Sequence, residues 1–319
     1  MDSELSAVAG AIRAARRIAV ITHIRPDCDT LGSAMGLRAA LEALNRETVV
    51  CCEDAIPEKF GFLPGIEGVT ANPEGSFDLI ISVDCSDATR MGSLGALFRA
   101  SKNTVNLDHH RSNLREGKLN VVKEDYSSCS ELISELVEEL GVPLEEGIAL
   151  PLYLGLCSDT GCFSHSNVNE HSLLTAAKLI THAGDVTPYI YRMFKDNPKA
   201  RFQLLGRTLK TARFYAEDRI CLLSVRLTDL VECGAESSMT EGFVDYAVNC
   251  SPVLVGASIL ESKPNNFKIS LRGKGEADVC AIAERFGGGG HTKAAGCMIC
   301  GFYEDVVDKL VRAIELELT

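Results

Sequence analysis

The sequence predicts an α/β protein of two domains, with a mostly parallel N-terminal sheet flanked by helices, a helical connector and a smaller C-terminal α/β domain. Its 319 residues correspond to about two domains by the usual relation of length to domain number. In the first half, short apolar runs alternate with helical patterns, which is typical of parallel strands joined by crossover helices. The alternation resumes near the end of the chain, after a long helical stretch.

The first domain is predicted over residues 1–186. RIAVIT (17–22) is an apolar run of strand length, and LGSAMGLRAALEAL (31–44) repeats its apolar residues at helical spacing, with Asp29 or Thr30 as its N-terminal cap. Gly141 and Pro143 break the later helical pattern in two. The further elements predicted here are strands over 48–52, 78–83 and 103–107 and helices over 130–140 and 145–157.

A helical connector is predicted over residues 187–212, because the pattern from His171 to Phe214 is helical but interrupted by Gly184, Pro188 and Pro198. The second domain then covers residues 213–319. Its predicted elements are strands over 220–225, 253–260 and 267–273, a helix over 276–285, a glycine run at 287–290, an apolar strand and a closing helix.

Composition excludes several classes of protein. With 46% apolar and 24% charged residues the chain is an ordinary globular one, which excludes disorder, collagen and coiled coil. A net charge of −12 argues against a protein that coats long nucleic acid, although a local basic pocket stays open. No apolar stretch reaches the roughly 18 residues of a membrane span, and no export signal is evident, so we expect a cytoplasmic protein.

The 13 cysteines are therefore expected to be reduced thiols. Cys297 and Cys300 form a single C-x-x-C without a second pair, and their apolar setting predicts a buried strand rather than a zinc site. Cys85 lies beside an aspartate but shows no activating base, and no G-x-S-x-G motif is present. A nucleophilic serine or cysteine is thus not indicated.

Clusters of acidic and imidazole groups follow the apolar elements, which is where ligands bind in open α/β sheets. The first is THIRPDCDTLGS, with His23, Asp27 and Asp29. Because the two aspartates are two residues apart, both can project to one side of an extended loop. Such oxygen and imidazole ligands suit Mn²⁺, Mg²⁺ or Zn²⁺, whereas the alternative is that both aspartates serve only as turn and cap residues.

Three further clusters follow later elements. Asp84 ends the strand over 78–83, and the nearby Asp87 and Arg90 can either form a local salt bridge or contact substrate. The series Asp108, His109 and His110 follows an apolar run, and Asp159 leaves an apolar helix at a glycine. Turn residues have no reason to recur at successive element ends with enough ligands for two metals, so we predict a two-metal centre, the usual solution for phosphoester hydrolysis.

A fifth feature is FGGGGHTKAAG at 286–296, in which the backbone of Gly287, Gly288, Gly289 and Gly290 can approach an anion and His291 adds a donor. It matches neither a Walker A sequence nor a dinucleotide fingerprint. Arg272 ends a predicted strand upstream and can pair with a phosphate or stack on a base. We interpret this feature as a phosphate cradle, and a flexible surface loop is the alternative.

Together these residues resemble the DHH family of phosphoesterases, named for the series that is Asp108-His109-His110 here. The match spans nearly the whole chain, and GGGGH with AAG resembles the DHH-associated C-terminal domain. The compact length is most similar to the nano-RNase branch, which hydrolyses short oligoribonucleotides and removes the 3′-phosphate from 3′-phosphoadenosine 5′-phosphate (pAp). The cyclic dinucleotide phosphodiesterases are the alternative. The RecJ single-strand exonucleases are less favoured because they are much longer. An inert nucleotide-binding protein is less favoured because every expected ligand is present.

The resemblance implies a role for each matched residue. Asp84 would bridge two Mn²⁺ ions, with Mg²⁺ or Co²⁺ as substitutes; His23 and Asp27 would complete one site and Asp29, His109 and Asp159 the other. His110 would meet the scissile phosphate and Asp108 would orient the histidines, while Arg272 and the loop Gly287–His291 would hold the nucleotide, with the active site in the interdomain cleft. Expected partners are short RNA or small nucleotides. Binding to long duplex DNA or to a membrane is not expected, and a homodimer is compatible with the sequence.

Overall fold

The computed structural model describes residues 3–318, which divide into two compact units with the boundary after Asp196. The boundary lies within the segment over 187–212 that the sequence analysis treats as a connector. Within the described range, each helix is too short or too polar to cross a lipid bilayer.

The first unit is built on a five-stranded sheet in the order β2-β1-β3-β4-β5, in which all neighbouring strands are parallel. Its strands and helices are α1 (Ser3–Ala14), β1 (Arg17–Ile21), α2 (Cys28–Ala43), β2 (Glu47–Cys51), β3 (Leu79–Val83), α3 (Leu94–Ala100), β4 (Thr104–Asp108), β5 (Leu119–Val122), α4 (Cys129–Glu139), α5 (Glu146–Asp159), α6 (Glu170–Ile180) and α7 (Thr187–Phe194).

Both faces of this sheet are covered by helices. The side chains of each strand alternate between the two faces, so each strand contributes to both cores. On β1, Ile18 and Val20 join the large core formed with α1, α2, α4 and α5, whereas Ala19 and Ile21 join a smaller core that includes Phe98 of α3. The predicted fold class of this unit, a parallel sheet flanked by helices, is therefore confirmed. The strand β5 at the sheet edge was not predicted.

The N-terminus of α2 differs from the prediction. The helix begins at Cys28, three residues before the predicted start, and its cap is Asp27 rather than Asp29 or Thr30. The Asp27 carboxylate accepts hydrogen bonds from the backbone N–H groups of Asp29 and Thr30, both at 3.0 Å. An aspartate caps best when its backbone is extended and the next residues are helical, which is the case here.

The second unit contains a six-stranded sheet in the order β10-β11-β9-β8-β7-β6, in which only β7 and β8 run parallel. Its elements are α8 (Lys199–Leu209), β6 (Arg213–Tyr215), β7 (Ile220–Val225), α9 (Leu227–Cys233), α10 (Phe243–Val248), β8 (Val255–Lys263), β9 (Asn266–Gly273), α11 (Val279–Glu284), β10 (Gly289–His291), β11 (Ala294–Cys300) and α12 (Tyr303–Glu317). The helices α11 and α12 contribute to its main core.

The strand β11 corrects the expectation of a fully buried strand around the C-x-x-C. Cys297 is buried, whereas Cys300 is exposed. Residues three apart on a strand point to opposite faces, so these two thiols are not arranged to share a metal.

Candidate metal centre

The predicted acidic and imidazole groups lie at the carboxyl edge of the five-stranded sheet. His23 follows β1, Asp84 follows β3, and Asp108 is the last residue of β4. Because β1, β3 and β4 are parallel neighbours in that order, their carboxyl ends meet at one edge with β3 in the middle. Asp84, with a left-handed φ of +57°, therefore lies between the histidine after β1 and those after β4.

One group of side chains forms on the β1 side of Asp84. His23 Nε2 lies 3.4 Å from Asp84 Oδ2 and 3.6 Å from Asp27 Oδ2. The other ring nitrogen, Nδ1, lies 2.8 Å from the carbonyl oxygen of Ile24. When Nδ1 donates to that carbonyl, Nε2 presents its lone pair to the space between the carboxylates, which is the arrangement of a metal-binding histidine.

A second group forms on the β4 side and contains Asp29, His109 and Asp159. His109 Nε2 lies 3.4 Å from Asp159 Oδ2 and 3.4 Å from Asp84 Oδ1. Its Nδ1 lies 3.2 Å from the carbonyl oxygen of Tyr126, so this histidine repeats the arrangement of His23. Asp84 thus contacts a histidine of each group, one through each carboxylate oxygen.

Asp29 is held by the N-terminus of α4. Its Oδ2 accepts the backbone N–H of Cys129 at 2.7 Å, and its Oδ1 accepts both the N–H and the hydroxyl of Ser130, at 3.1 and 2.6 Å. A helix N-terminus favours negative charge, so α4 stabilises this buried carboxylate. Asp29 lies in the first turn of α2 and Asp27 is the cap of that helix, so the expected extended loop is wrong, although both side chains belong to the candidate centre.

The second histidine of the Asp-His-His series has a different partner. His110 Nδ1 lies 2.8 Å from Asp108 Oδ1, and Asn113 donates to Asp108 Oδ2 at 2.5 Å. The Asp108 side chain is fully buried, whereas that of His110 is 42% exposed. With Nδ1 bound to Asp108, the exposed ring offers its Nε2 to a ligand.

The charges of the metal-free cluster are strongly coupled. Burial lowers the pKa of His23, but Asp27 and Asp84 outweigh this and raise it to about 10. Burial also lowers the pKa of His109, and Asp84 raises it to about 10. Burial alone would raise the pKa of Asp84, yet the two histidines hold it below its usual range. In the absence of a cation, the two histidines thus favour the charged form of Asp84, and Asp84 favours theirs.

The other two acids have the opposite shift. Burial and the charge of Asp84 raise the pKa of Asp29 to about 7. Burial and the charges of Asp29 and Asp84 raise the pKa of Asp159 well above its usual range. Several carboxylates crowded together are costly unless a positive charge lies among them.

The side chains fit divalent cations. Among residues 3–318, Asp84 Oδ1 and His109 Nε2 are buried polar atoms without a hydrogen-bond partner. Nearly all buried polar atoms in proteins are paired, so these two indicate a ligand between them. Carboxylate oxygens and imidazole nitrogens are donors that Mn²⁺ accepts, and Mg²⁺ or Co²⁺ as well.

Neighbouring residues have other roles. Asp87 caps the short 3₁₀ turn Ala88–Met91 by accepting the N–H groups of Thr89 and Arg90. Cys85 is buried, and burial raises the pKa of its thiol well above the usual value, which agrees with the expectation that it is not a nucleophile.

Two of the predicted substrate residues of the second unit, Arg272 and His291, lie in one row of its sheet. His291 on β10 pairs with Ala294 on β11, and Ala294 pairs with Arg272 on β9. Arg272 Nε lies 3.3 Å from Asp245 Oδ1. The glycine run is not simply a loop, because Gly289 and Gly290 begin β10. Gly288 packs closely on β11, since a Cβ at this residue would lie 2.2 Å from the carbonyl oxygen of Gly296.

Several residues that shape the centre were missed by the sequence analysis. They are Asn113, the Tyr126 carbonyl, the N–H of Cys129, Ser130, and Gly155, where a Cβ would lie 2.1 Å from Ser130 Oγ. The serine-rich start of α4 and Asn113, five residues after Asp108, were the available signals. The Tyr126 carbonyl has no signal in the sequence.

Comparison with known proteins identifies the family of this chain. Residues 17–156 match the DHH family N-terminal domain and residues 226–319 match the DHHA1 domain. The bifunctional oligoribonuclease and PAP phosphatase NrnA of Thermus thermophilus is 30% identical over 309 residues, covering 95% of this chain and 90% of that protein. The Bacillus subtilis NrnA is 25% identical over 297 residues, covering 92% of both chains.

Among solved structures, an exopolyphosphatase-related protein from Bacteroides fragilis aligns with a TM-score of 0.91 at 22% identity, covering 99% of this chain and 96% of that one. This likeness supports the fold of the whole chain. The two domain matches and the similarity to NrnA confirm the membership predicted from the motifs: the chain belongs to the DHH family and carries a DHHA1 domain.

Proposed function

We propose that the protein is a metal-dependent phosphoesterase that hydrolyses short oligoribonucleotides to mononucleotides and removes the 3′-phosphate of pAp. The observation that carries this proposal is the pair of ligand groups joined by Asp84, with a buried carboxylate oxygen and a buried imidazole nitrogen that lack partners within residues 3–318. The NrnA relatives, which match over nearly the full chain, support the substrate class.

In this proposal Asp84 would serve two Mn²⁺ ions. His23 and Asp27 would help to hold one ion, and Asp29, His109 and Asp159 would help to hold the other. A pair of divalent cations supplies an activated water and positive charge for the transferred phosphoryl group. The backbone carbonyls behind His23 and His109 fix each ring so that Nε2 faces the centre.

His110 acts on the substrate phosphate. Asp108 accepts its Nδ1–H and raises the pKa of the ring, so that Nε2 carries a proton and can donate to a phosphoryl oxygen. Asn113 holds the other oxygen of Asp108, so the carboxylate cannot turn away. The pair thereby supplies a fixed positive donor without changing its own bonding during the reaction.

The second unit binds the nucleotide portion. We assign this role to Arg272 and to the segment Gly287–His291, since Arg272 and His291 share one row of the sheet. An arginine and backbone N–H groups are good phosphate donors. The net charge of −12 favours a short substrate held by a few contacts, because the remaining surface repels a long polyanion.

The test is a set of initial hydrolysis rates measured with Mn²⁺ on a 5′-phosphorylated RNA dinucleotide, pAp, cyclic di-AMP and long single-stranded DNA. We expect fast release of mononucleotide from the dinucleotide, cleavage of pAp, and slow cleavage of the long strand. The variant Asp84→Asn serves as the inactive control. A clear preference for cyclic di-AMP would assign the alternative function, and no hydrolysis of any compound would contradict the proposal.

A further inference from the structure

Behind the metal centre lies an ion cluster that the proposed reaction does not use. His171, in the first turn of α6, lies between two carboxylates of α4: its Nδ1 is 2.6 Å from Glu131 Oε2 and its Nε2 is 3.0 Å from Glu135 Oε1. The ring stacks on Tyr126, with centroids 4.2 Å apart and planes inclined by 26°. The Tyr126 hydroxyl also donates to Glu135, at 2.8 Å.

A protonated ring fits this geometry when both glutamates are ionised. A neutral imidazole has one N–H and one lone pair, so only the imidazolium can donate to a carboxylate from both nitrogens. Glu131 is fully buried while His171 is 35% exposed, so the histidine supplies the positive charge that this buried carboxylate needs. Burial lowers the pKa of His171, but Glu131 and Glu135 outweigh this and raise it.

This cluster supports the segment that holds two predicted metal ligands. The carbonyl of Tyr126 faces His109 Nδ1, and the ring of the same residue rests on His171. Glu131 Oε1 accepts the backbone N–H of Ser127 at 2.8 Å, which ties this segment to α4. At the start of that helix, the N–H groups of Cys129 and Ser130 hold Asp29.

The first turn of α6 is itself attached to the segment. Asn169, the cap of α6, donates from its side chain to the carbonyl of Asp125 at 2.9 Å. The turn that carries His171 is thus bound to the segment 125–131 at two points, through its cap and through the imidazole. His171 and Glu131 are 40 residues apart in sequence, so no local sequence motif predicts this contact.

We propose that His171 is a positioning residue that sets the orientation of His109 and the place of Asp29 by clamping residues 126–131. This inference rests on the proposed metal centre and deepens it. His171 touches neither ligand directly, so its removal should weaken metal binding while all the ligands remain. Residues behind metal ligands typically contribute about 10- to 100-fold in metal affinity or activity, and we expect the lower end for a residue acting through a clamp.

The test compares His171→Gln with the wild-type chain, and His182→Gln, at an exposed histidine of the same unit, is the matched control. Mn²⁺ affinity is measured by titration followed by electron paramagnetic resonance, and the unfolding midpoint is measured without metal. We expect about 10-fold weaker Mn²⁺ binding in His171→Gln, a lower kcat at limiting Mn²⁺ that saturating Mn²⁺ restores, and an unchanged KM. His182→Gln should match the wild type in Mn²⁺ affinity, unfolding midpoint, kcat and KM.

Equal Mn²⁺ affinity in folded His171→Gln and in the wild type would overturn this inference and leave the proposed function standing. A wild-type chain that binds no Mn²⁺ would overturn both. Where His171→Gln does not fold, Glu135→Gln takes its place, because it keeps the shape of the cluster and removes one charge. A weakening of Mn²⁺ binding in that variant supports the clamp, and wild-type affinity contradicts it.

Discussion

The substitution Gly155→Ala is expected to displace Asp29 and Ser130 and so to disturb the candidate metal centre, without replacing any predicted ligand. A Cβ at residue 155 of α5 would lie 2.1 Å from Ser130 Oγ, 2.9 Å from Asp29 Oδ1 and 3.2 Å from Asp29 Cα. Ordinary contacts to a Cβ begin at 3.4 Å, so the serine hydroxyl must move by more than an ångström. That hydroxyl now donates to Asp29 at 2.6 Å, and the bond cannot survive the movement.

The cost follows from the two contacts. Inserting a methyl group into a packed core costs about 1–3 kcal/mol. Above pH 7, where Asp29 is mostly ionised, the lost hydrogen bond to this charged acceptor is worth about 1.5–3 kcal/mol. These effects overlap, so we expect the free energy of unfolding of the metal-free protein to fall by about 2–4 kcal/mol. Displacing Asp29 should also weaken Mn²⁺ binding at least about 10-fold, because a ligand loses its fixed position.

Urea unfolding and Mn²⁺ titration measure the two effects. Gly147→Ala is the matched control, since it lies in the same helix and its Cβ would meet no atom within 4 Å. In an open helical position, alanine is favoured over glycine by about 1 kcal/mol, so this control should be neutral or stabilising. If Gly155→Ala unfolded and bound Mn²⁺ as the wild type does, the close packing of α5 against Asp29 would not matter, and the reasoning would be refuted.

Three further predictions concern the centre itself. Asp84→Asn should lower the hydrolysis rate by more than the roughly 10- to 100-fold typical of a residue behind a ligand, and should lower the number of Mn²⁺ ions bound, because Asp84 contacts a histidine of each group. A normal number of bound Mn²⁺ ions would argue against a shared Asp84. Mn²⁺ binding should release protons and tighten as pH rises toward 10, since His23 and His109 hold protons up to about pH 10 without metal. Calorimetry in buffers of different ionisation enthalpy counts the released protons. A pH-independent affinity would contradict the assigned ligands. Cys85→Ala should keep kcat within about threefold, since the buried thiol is inert, and loss of activity with normal Mn²⁺ content would implicate it.

Much of the centre could be predicted because strand ends are visible in sequence. His23, Asp84 and Asp108 each follow an apolar run of strand length, and parallel strands bring such positions to one edge. The order of the strands is a property of non-local pairing, so the middle place of Asp84 followed only from the structure. The strand β5 has only four residues, and the polar Asn120 interrupts its apolar run, so the sequence signal is too short to identify.

The directions of neighbouring side chains were harder to predict. Asp27 and Asp29 are two residues apart, which suggests a shared direction in extended chain, but a helix begins between them and turns Asp29 toward α4. The residues that hold Asp29 are about a hundred positions away in sequence, as the separation of 101 for Ser130 shows. Contacts of that kind leave no periodic pattern, so the sequence could indicate the candidate ligands but not the residues that support them.

The most direct test of the account is the rate of mononucleotide release from a 5′-phosphorylated RNA dinucleotide, measured on metal-free protein as Mn²⁺ is added in known equivalents per chain. The account predicts no hydrolysis with chelator present and a rate that rises to its plateau as the second equivalent binds. Full hydrolysis without metal, or a plateau reached at one equivalent, would contradict the two-metal centre built around Asp84.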